Sequence, residues 1–127
     1  MNERELFKKA KVAIESAQLL INAGDHDGAC NRAYYAMFDA AHAALLVSKS
    51  LTDLSTIKTH SGLITSFSLL LVKTGHVSVE LGKSLNKVEG LRLLADYKGE
   101  EIDLAQAQWA LKEARVFVLA LQKYKYA

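Results

Sequence analysis

An arginine, a tyrosine, an aspartate and a histidine recur along one stretch, at Arg32, Tyr35, Asp39 and His42. At about 100° per residue, steps of three and four return to the same side of a helix, so these side chains stack on one strip with Asn31 beside them. Such a strip suits phosphate recognition: a guanidinium forks onto phosphate oxygens, a phenol stacks or hydrogen-bonds, and an imidazole titrates near neutral pH. The plainer reading is a strip that faces water or finds structural partners in neighbouring helices. A second group, Arg92, Asp96 and Tyr97, follows downstream. Arg92 and Asp96 stand one turn apart, and as a surface pair they would contribute about 0.3 kcal/mol. Lys58, Thr59, His60 and Ser61 fall at an expected helix start, where outward backbone N–H groups favour an anion, although no glycine-rich phosphate loop accompanies them. There His60 reads first as a residue that orders the turn. His26 and His76 fall at helix boundaries and read as solvated. None of the four histidines pairs with another at i, i+4 or sits in a His-Glu-x-x-His pattern, so neither a metal site nor a cofactor is expected.

The elements that must position these residues are helices. The 127-residue chain contains no proline and is rich in Ala and Leu, and it lacks the apolar/polar alternation of strands. Five segments follow from the punctuation. The first runs from about Glu3 to Ala23, capped by Asn2 with Glu5 reaching back, and stops at Gly24. The second opens between Asp25 and Gly28 and continues to about Ser50, before a polar loop of Thr52, Asp53, Ser55 and Thr56. The third, about Thr59 to Lys73, ends at Gly75. The fourth, about Ser78 to Lys98, contains Gly82 and Gly90 and is the segment expected to bend or break. The fifth opens at Asp103, with Gln106 as capping partner, and runs to about Tyr124. Ala29, Ala33, Ala36, Ala40 and Ala44 form a narrow small-residue face on the second segment, which lets another backbone approach closely. Short connections between amphipathic helices favour an all-α, up-and-down bundle of four to five helices, and the length suits a single domain over 1–127.

Composition narrows the functional classes. Sixteen Lys and Arg against fourteen Asp and Glu give a net charge of +2, scattered along the chain, so no basic arm or acidic tail marks a partner. No apolar run exceeds six residues, as in Val116 to Leu121, and the N-terminus is charged; neither a membrane span nor a secretory signal is expected. The single Cys30 can form no internal disulfide and no thiolate zinc site, which points to the reducing cytoplasm. Val116 to Leu121 is apolar on every side, and with Trp109, Phe117, Tyr124 and Tyr126 it implies a last helix that is either central or packed on another chain.

The run Asn31-Arg32-Ala33-Tyr34-Tyr35-Ala36-Met37-Phe38-Asp39-Ala40-Ala41-His42-Ala43-Ala44-Leu45-Leu46 resembles the signature helix of HEPN domains, small helical proteins of prokaryotes often encoded beside a minimal nucleotidyltransferase. Lys58-Thr59-His60-Ser61-Gly62 is similar to the family's Lys-Thr-His-Ser segment, and Arg92-Leu93-Leu94-Ala95-Asp96-Tyr97 to its Arg-x-x-Ala-Asp-Tyr. Ala114, Phe117 and Val118 are similar to its closing pattern, so the resemblance spans nearly the whole chain. It implies a HEPN-like bundle forming a homodimer, with the dimer cleft as the functional surface and a nucleotidyltransferase as partner.

Related members carry Arg-x(4–6)-His in that cleft and act as metal-independent endoribonucleases. This chain departs from the pattern: Met37, Phe38 and Asp39 stand where the histidine would follow Arg32, and Tyr97, Lys98 and Gly99 where it would follow Arg92. Metal-free RNA cleavage needs a base, an acid and a cation at one phosphate, and a phenol is a poor acid–base group at neutral pH. The expectation is therefore a non-catalytic protein binding nucleotide or RNA in a toxin–antitoxin-like two-gene system. Its ligand site would comprise Arg32, Tyr35, Asp39, His42, Lys58, His60, Arg92, Asp96 and Tyr97. The rival is an endoribonuclease in which His42 or His60 reaches Arg32 from elsewhere in the fold or from a second protomer. A third reading is a scaffold whose polar strip is only a dimer contact.

Overall fold

Side-chain caps start the helices where the sequence places them. In the computed structural model, which describes residues 1–48 and 59–123, Asn2 Oδ1 accepts from the Glu5 N–H at 2.9 Å while Glu5 Oε1 accepts from the Asn2 N–H at 3.4 Å. This reciprocal box opens α1, Glu3–Asn22. Asp25 Oδ1 accepts from the Gly28 N–H at 2.8 Å at the head of α2, His26–Ser48. Thr59 does the same for the Gly62 N–H at 2.9 Å before α3, His60–Phe67. Ser78 caps α4, Val79–Lys98, and a second reciprocal box between Asp103 and Gln106 opens α5, Leu104–Lys123. Gly24, Gly75 and Gly99 take positive φ (84°, 83° and 66°), the conformation that ends a helix most cheaply with glycine.

Two expectations are corrected. The third segment is not one regular helix: after Phe67 it widens into a π-helical turn, Ser68–Val72, closed by the Lys73 N–H onto the Ser68 carbonyl at 2.8 Å. The fourth segment does not break at its glycines; α4 is continuous. Gly82 faces the π turn, and a Cβ there would lie 3.2 Å from Val72 Cγ2. Its missing side chain serves close packing between helices, without a kink. The expected loop of Thr52, Asp53, Ser55 and Thr56, together with Lys58, Tyr124 and Tyr126, lies outside the described residues.

The core is built around α2. Its small face, Ala29, Ala33, Ala36, Ala40 and Ala44, is fully or almost fully buried, and so are Cys30, Tyr34, Met37, Ala41 and Leu45 on other sides. A helix apolar nearly all round belongs in the middle. It packs most extensively on α1, through Ala10, Ala13 and Ala17, and also on α5, α4 and α3. In α5, Ala114, Phe117, Val118 and Leu121 are buried while Val116 and Leu119 stay about half exposed, so this helix lies at the edge and carries an apolar outer stripe. Among the described residues all regular structure is helical, and no helix is long and apolar enough to cross a membrane.

Candidate functional site

The strip on α2 meets α3 and α4 at an aromatic cluster. Tyr34, Tyr35 and Phe38 pack edge-on or tilted against one another, with centroids 5.2 to 6.4 Å apart. His60, the first residue of α3, inserts among them: its ring lies 4.4 Å from Phe38, 5.4 Å from Tyr35 and 5.9 Å from Tyr34. The Thr59 cap fixes where α3 begins and so where this imidazole is delivered. His60 Nδ1 and the Tyr34 hydroxyl are 3.3 Å apart, a long hydrogen bond.

Two guanidinium groups converge on the same rings. Arg32 Cζ lies 5.2 Å from the Tyr35 centroid, and Arg92 Cζ lies 4.4 Å from that of Tyr34 and 5.9 Å from that of Tyr35. Each is within cation–π range, an attraction of about 0.5–2 kcal/mol depending on desolvation. Arg92 is not the surface residue that its i, i+4 spacing with Asp96 suggests. It is 8 % exposed, roofed by the tyrosines, with Nη1 donating to Asp96 Oδ2 at 3.0 Å. The reason is tertiary: α4 turns that side chain onto α2. Among the described residues, the Nε atoms of both Arg32 and Arg92 are buried without a hydrogen-bond partner. Leaving such donors unmet is costly.

Arg32 opens on a groove of about 430 Å³ between α1 and α2, where Glu5, Lys8, Lys9 and Ser16 form one wall and Arg32 and Asp39 the other. Burial pushes the Asp39 carboxyl above its ordinary range, with Lys9, Arg32 and His60 pulling the other way. Burial likewise pushes the Tyr34 phenol up, reinforced by Glu89 and opposed by Arg92. The buried Cys30 thiol is raised to about 11 by desolvation first, then by Asp27 and Asp96.

Of the residues singled out from sequence, the structure brings together Arg32, Tyr35, Asp39, His60, Arg92 and Asp96. His42 stands apart: it is half-buried, and its imidazole is lowered by desolvation and then by the Met1 amine. Tyr97 is 77 % exposed near the end of α4 and joins none of the ring contacts. Lys58 lies outside the described residues. Sequence reasoning gave Tyr34, Phe38, Lys8 and Lys9 no role at the site. Tyr34 sits beside Tyr35 in the motif, but nothing in α1 alone says which face of it meets the α2 strip. Among the described residues no three His, Cys, Asp or Glu side chains gather as metal ligands would.

An all-helical bundle centred on one alanine-lined helix agrees with comparison to known proteins. The HEPN domain family model matches residues 3–124, and the chain belongs to that family. A Methanocaldococcus jannaschii protein named "Putative toxin MJ0142" is 32% identical over 121 residues, covering 94% of this chain and 79% of its own length. A UPF0332 protein of Thermotoga maritima is 34% identical over 131 residues, covering 97% and 94%. A second M. jannaschii protein with a toxin name, MJ0605, is 32% identical over 118 residues, covering 93% and 84%.

Proposed function

We propose that this HEPN domain is a non-catalytic binding protein that holds the phosphate of a nucleotide or of RNA beside Arg32 and Tyr35. In this reading it acts as a homodimer, partnered by a minimal nucleotidyltransferase in a toxin–antitoxin-like pair. The observation that carries it is the convergence of Arg32 and Arg92 on Tyr35, with Arg32 in no ion pair among the described residues and open to the groove. Arg92, buried and bound to Asp96, supports the tyrosine platform from below. The toxin names of two relatives support the two-gene setting.

A phosphate at Arg32 gains charge-assisted hydrogen bonds worth about 1.5–3 kcal/mol. Titration of the protein with AMP and with a short single-stranded RNA should give saturable binding that Arg32→Ala weakens about tenfold or more, with the thermal midpoint near that of the parent. Equal affinity in the variant would overturn the assignment, and a changed oligomeric state with equal affinity would make the strip a dimer contact only. Tyr97 is accessible enough to receive a nucleotidyl group, its phenolic oxygen attacking the α-phosphorus of a nucleoside triphosphate as pyrophosphate leaves. Co-expression with an active nucleotidyltransferase should add one nucleotidyl mass on Tyr97; no added mass would remove that part of the proposal.

One observation favours a second reading. His60 stands against the ring that Arg32 covers, so an acid–base group and a cation share a neighbourhood without the Arg-x(4–6)-His spacing. As an endoribonuclease the protein would cleave RNA in the presence of chelator and lose that activity in His60→Ala. His42, beside the Met1 amine, has no comparable placement.

A further inference from the structure

We infer that Tyr34 is a positioning residue for His60: its hydroxyl donates to Nδ1 and holds the imidazole in the tautomer whose proton lies on Nε2. His60 then offers the site an N–H donor and no free basic nitrogen. The inference deepens the phosphate-binding reading, on which its meaning for a ligand rests, since an N–H attracts a phosphate oxygen and a bare ring lone pair repels it.

The surroundings of the Tyr34 hydroxyl set the direction of that bond. Tyr34 is fully buried, and its oxygen lies 3.3 Å from His60 Nδ1. Arg92 also bears on the hydroxyl, with Cζ 4.4 Å from the ring centroid, both as a charge and as a donor. A guanidinium carries five N–H groups and no acceptor, so it can engage the phenolic oxygen but never receive its proton. Burial, the leading influence on the phenol, keeps it protonated at neutral pH. The hydroxyl proton is therefore left to Nδ1. The ring is held in that orientation: it lies 4.4 Å from Phe38 and 5.4 Å from Tyr35, and the Thr59 cap fixes where α3 begins. Turned over, it would set a carbon against the buried hydroxyl and leave that donor without an acceptor. Nε2, the other polar atom of the ring, has no hydrogen-bond partner among the described residues. A general base must present a lone pair to its substrate, and the lone pair of this neutral imidazole is covered by Tyr34.

The tautomer is read from the imidazole nitrogen shifts in two-bond proton–nitrogen correlation spectra of the unliganded full chain. At about pH 8.5 an ordinary imidazole is neutral. The His60 signals, assigned by their loss in His60→Ala, should show Nδ1 as an unprotonated nitrogen and Nε2 as a protonated one. In Tyr34→Phe, which keeps the ring and removes the hydroxyl, the two shifts should move toward each other as the tautomers mix, while those of His26 and His76 stay in place. A purely structural role for Tyr34 would lower the thermal midpoint and leave the His60 shifts unchanged, which would overturn the inference. A parent spectrum with the His60 proton on Nδ1, or shared between the nitrogens, would overturn it whatever the variant's stability. Because no ligand is present, a failure of AMP and RNA to bind would overturn the phosphate reading alone and leave the tautomer assigned.

Discussion

Asp39 shows how much of the site's behaviour is set by single groups. Its carboxyl is raised by burial despite Lys9, Arg32 and His60 nearby, so the folded protein holds a proton there more tightly than the unfolded chain does. Stability is then lower above the folded value and recovers as pH falls through it. Asp39→Asn should raise the thermal midpoint at neutral pH, with the gain shrinking in acid; a variant less stable at neutral pH would contradict this. The same substitution removes a negative charge from the groove wall, so phosphate binding should tighten and lose its strengthening at acid pH. Cys30 gives an independent check. Buried and raised to about 11, its thiol should not react with a thiol reagent at pH 8 in the native protein and should react promptly in denaturant. Arg32, Tyr35 and Asp39 were legible because one helix carries them at steps of three and four. Arg92 was open to two readings, a surface pair with Asp96 or a member of the ligand site, and it is buried, because α4's facing depends on its packing against α2. Tyr97, adjacent to Asp96 in sequence, points away for the ordinary reason that consecutive helical residues diverge by about 100°.

At the scale of elements, α2 does the organising. Its alanines let α1 approach closely, and that approach places Lys8 and Lys9 across the groove from Arg32. Ala40→Leu should therefore cost about 1–3 kcal/mol by overpacking, read in denaturant unfolding, whereas Ala105→Leu on the exposed start of α5 should cost little. Equal effects would deny α2 its central place. Helix starts were legible at Asn2/Glu5, Ser78 and Asp103/Gln106, because capping is a local bargain between neighbouring residues. The π turn at Ser68–Val72 was not, since it answers to how α3 packs, and Gly82 was read as a weak point although it serves the fit against Val72. The apolar run in α5 was legible as unusual; its two faces divide between the core and an exposed stripe of Trp109, Val116 and Leu119.

For the whole molecule, family membership and the helical bundle are established, and the central claim concerns what that bundle does with RNA. The chain lacks the Arg-x(4–6)-His spacing and Arg92 is paired with Asp96 beneath the tyrosines, and the proposed reading is that the groove holds phosphate without breaking a bond to it. The proposed homodimer should appear as twice the 14.0 kDa chain mass in sedimentation and persist in Arg32→Ala. The most direct test follows a single labelled RNA for both retention and integrity after incubation with the purified protein and excess chelator. The account predicts RNA that is bound and full-length. Fragments that form with the parent protein and vanish with His60→Ala would contradict it and establish the ribonuclease.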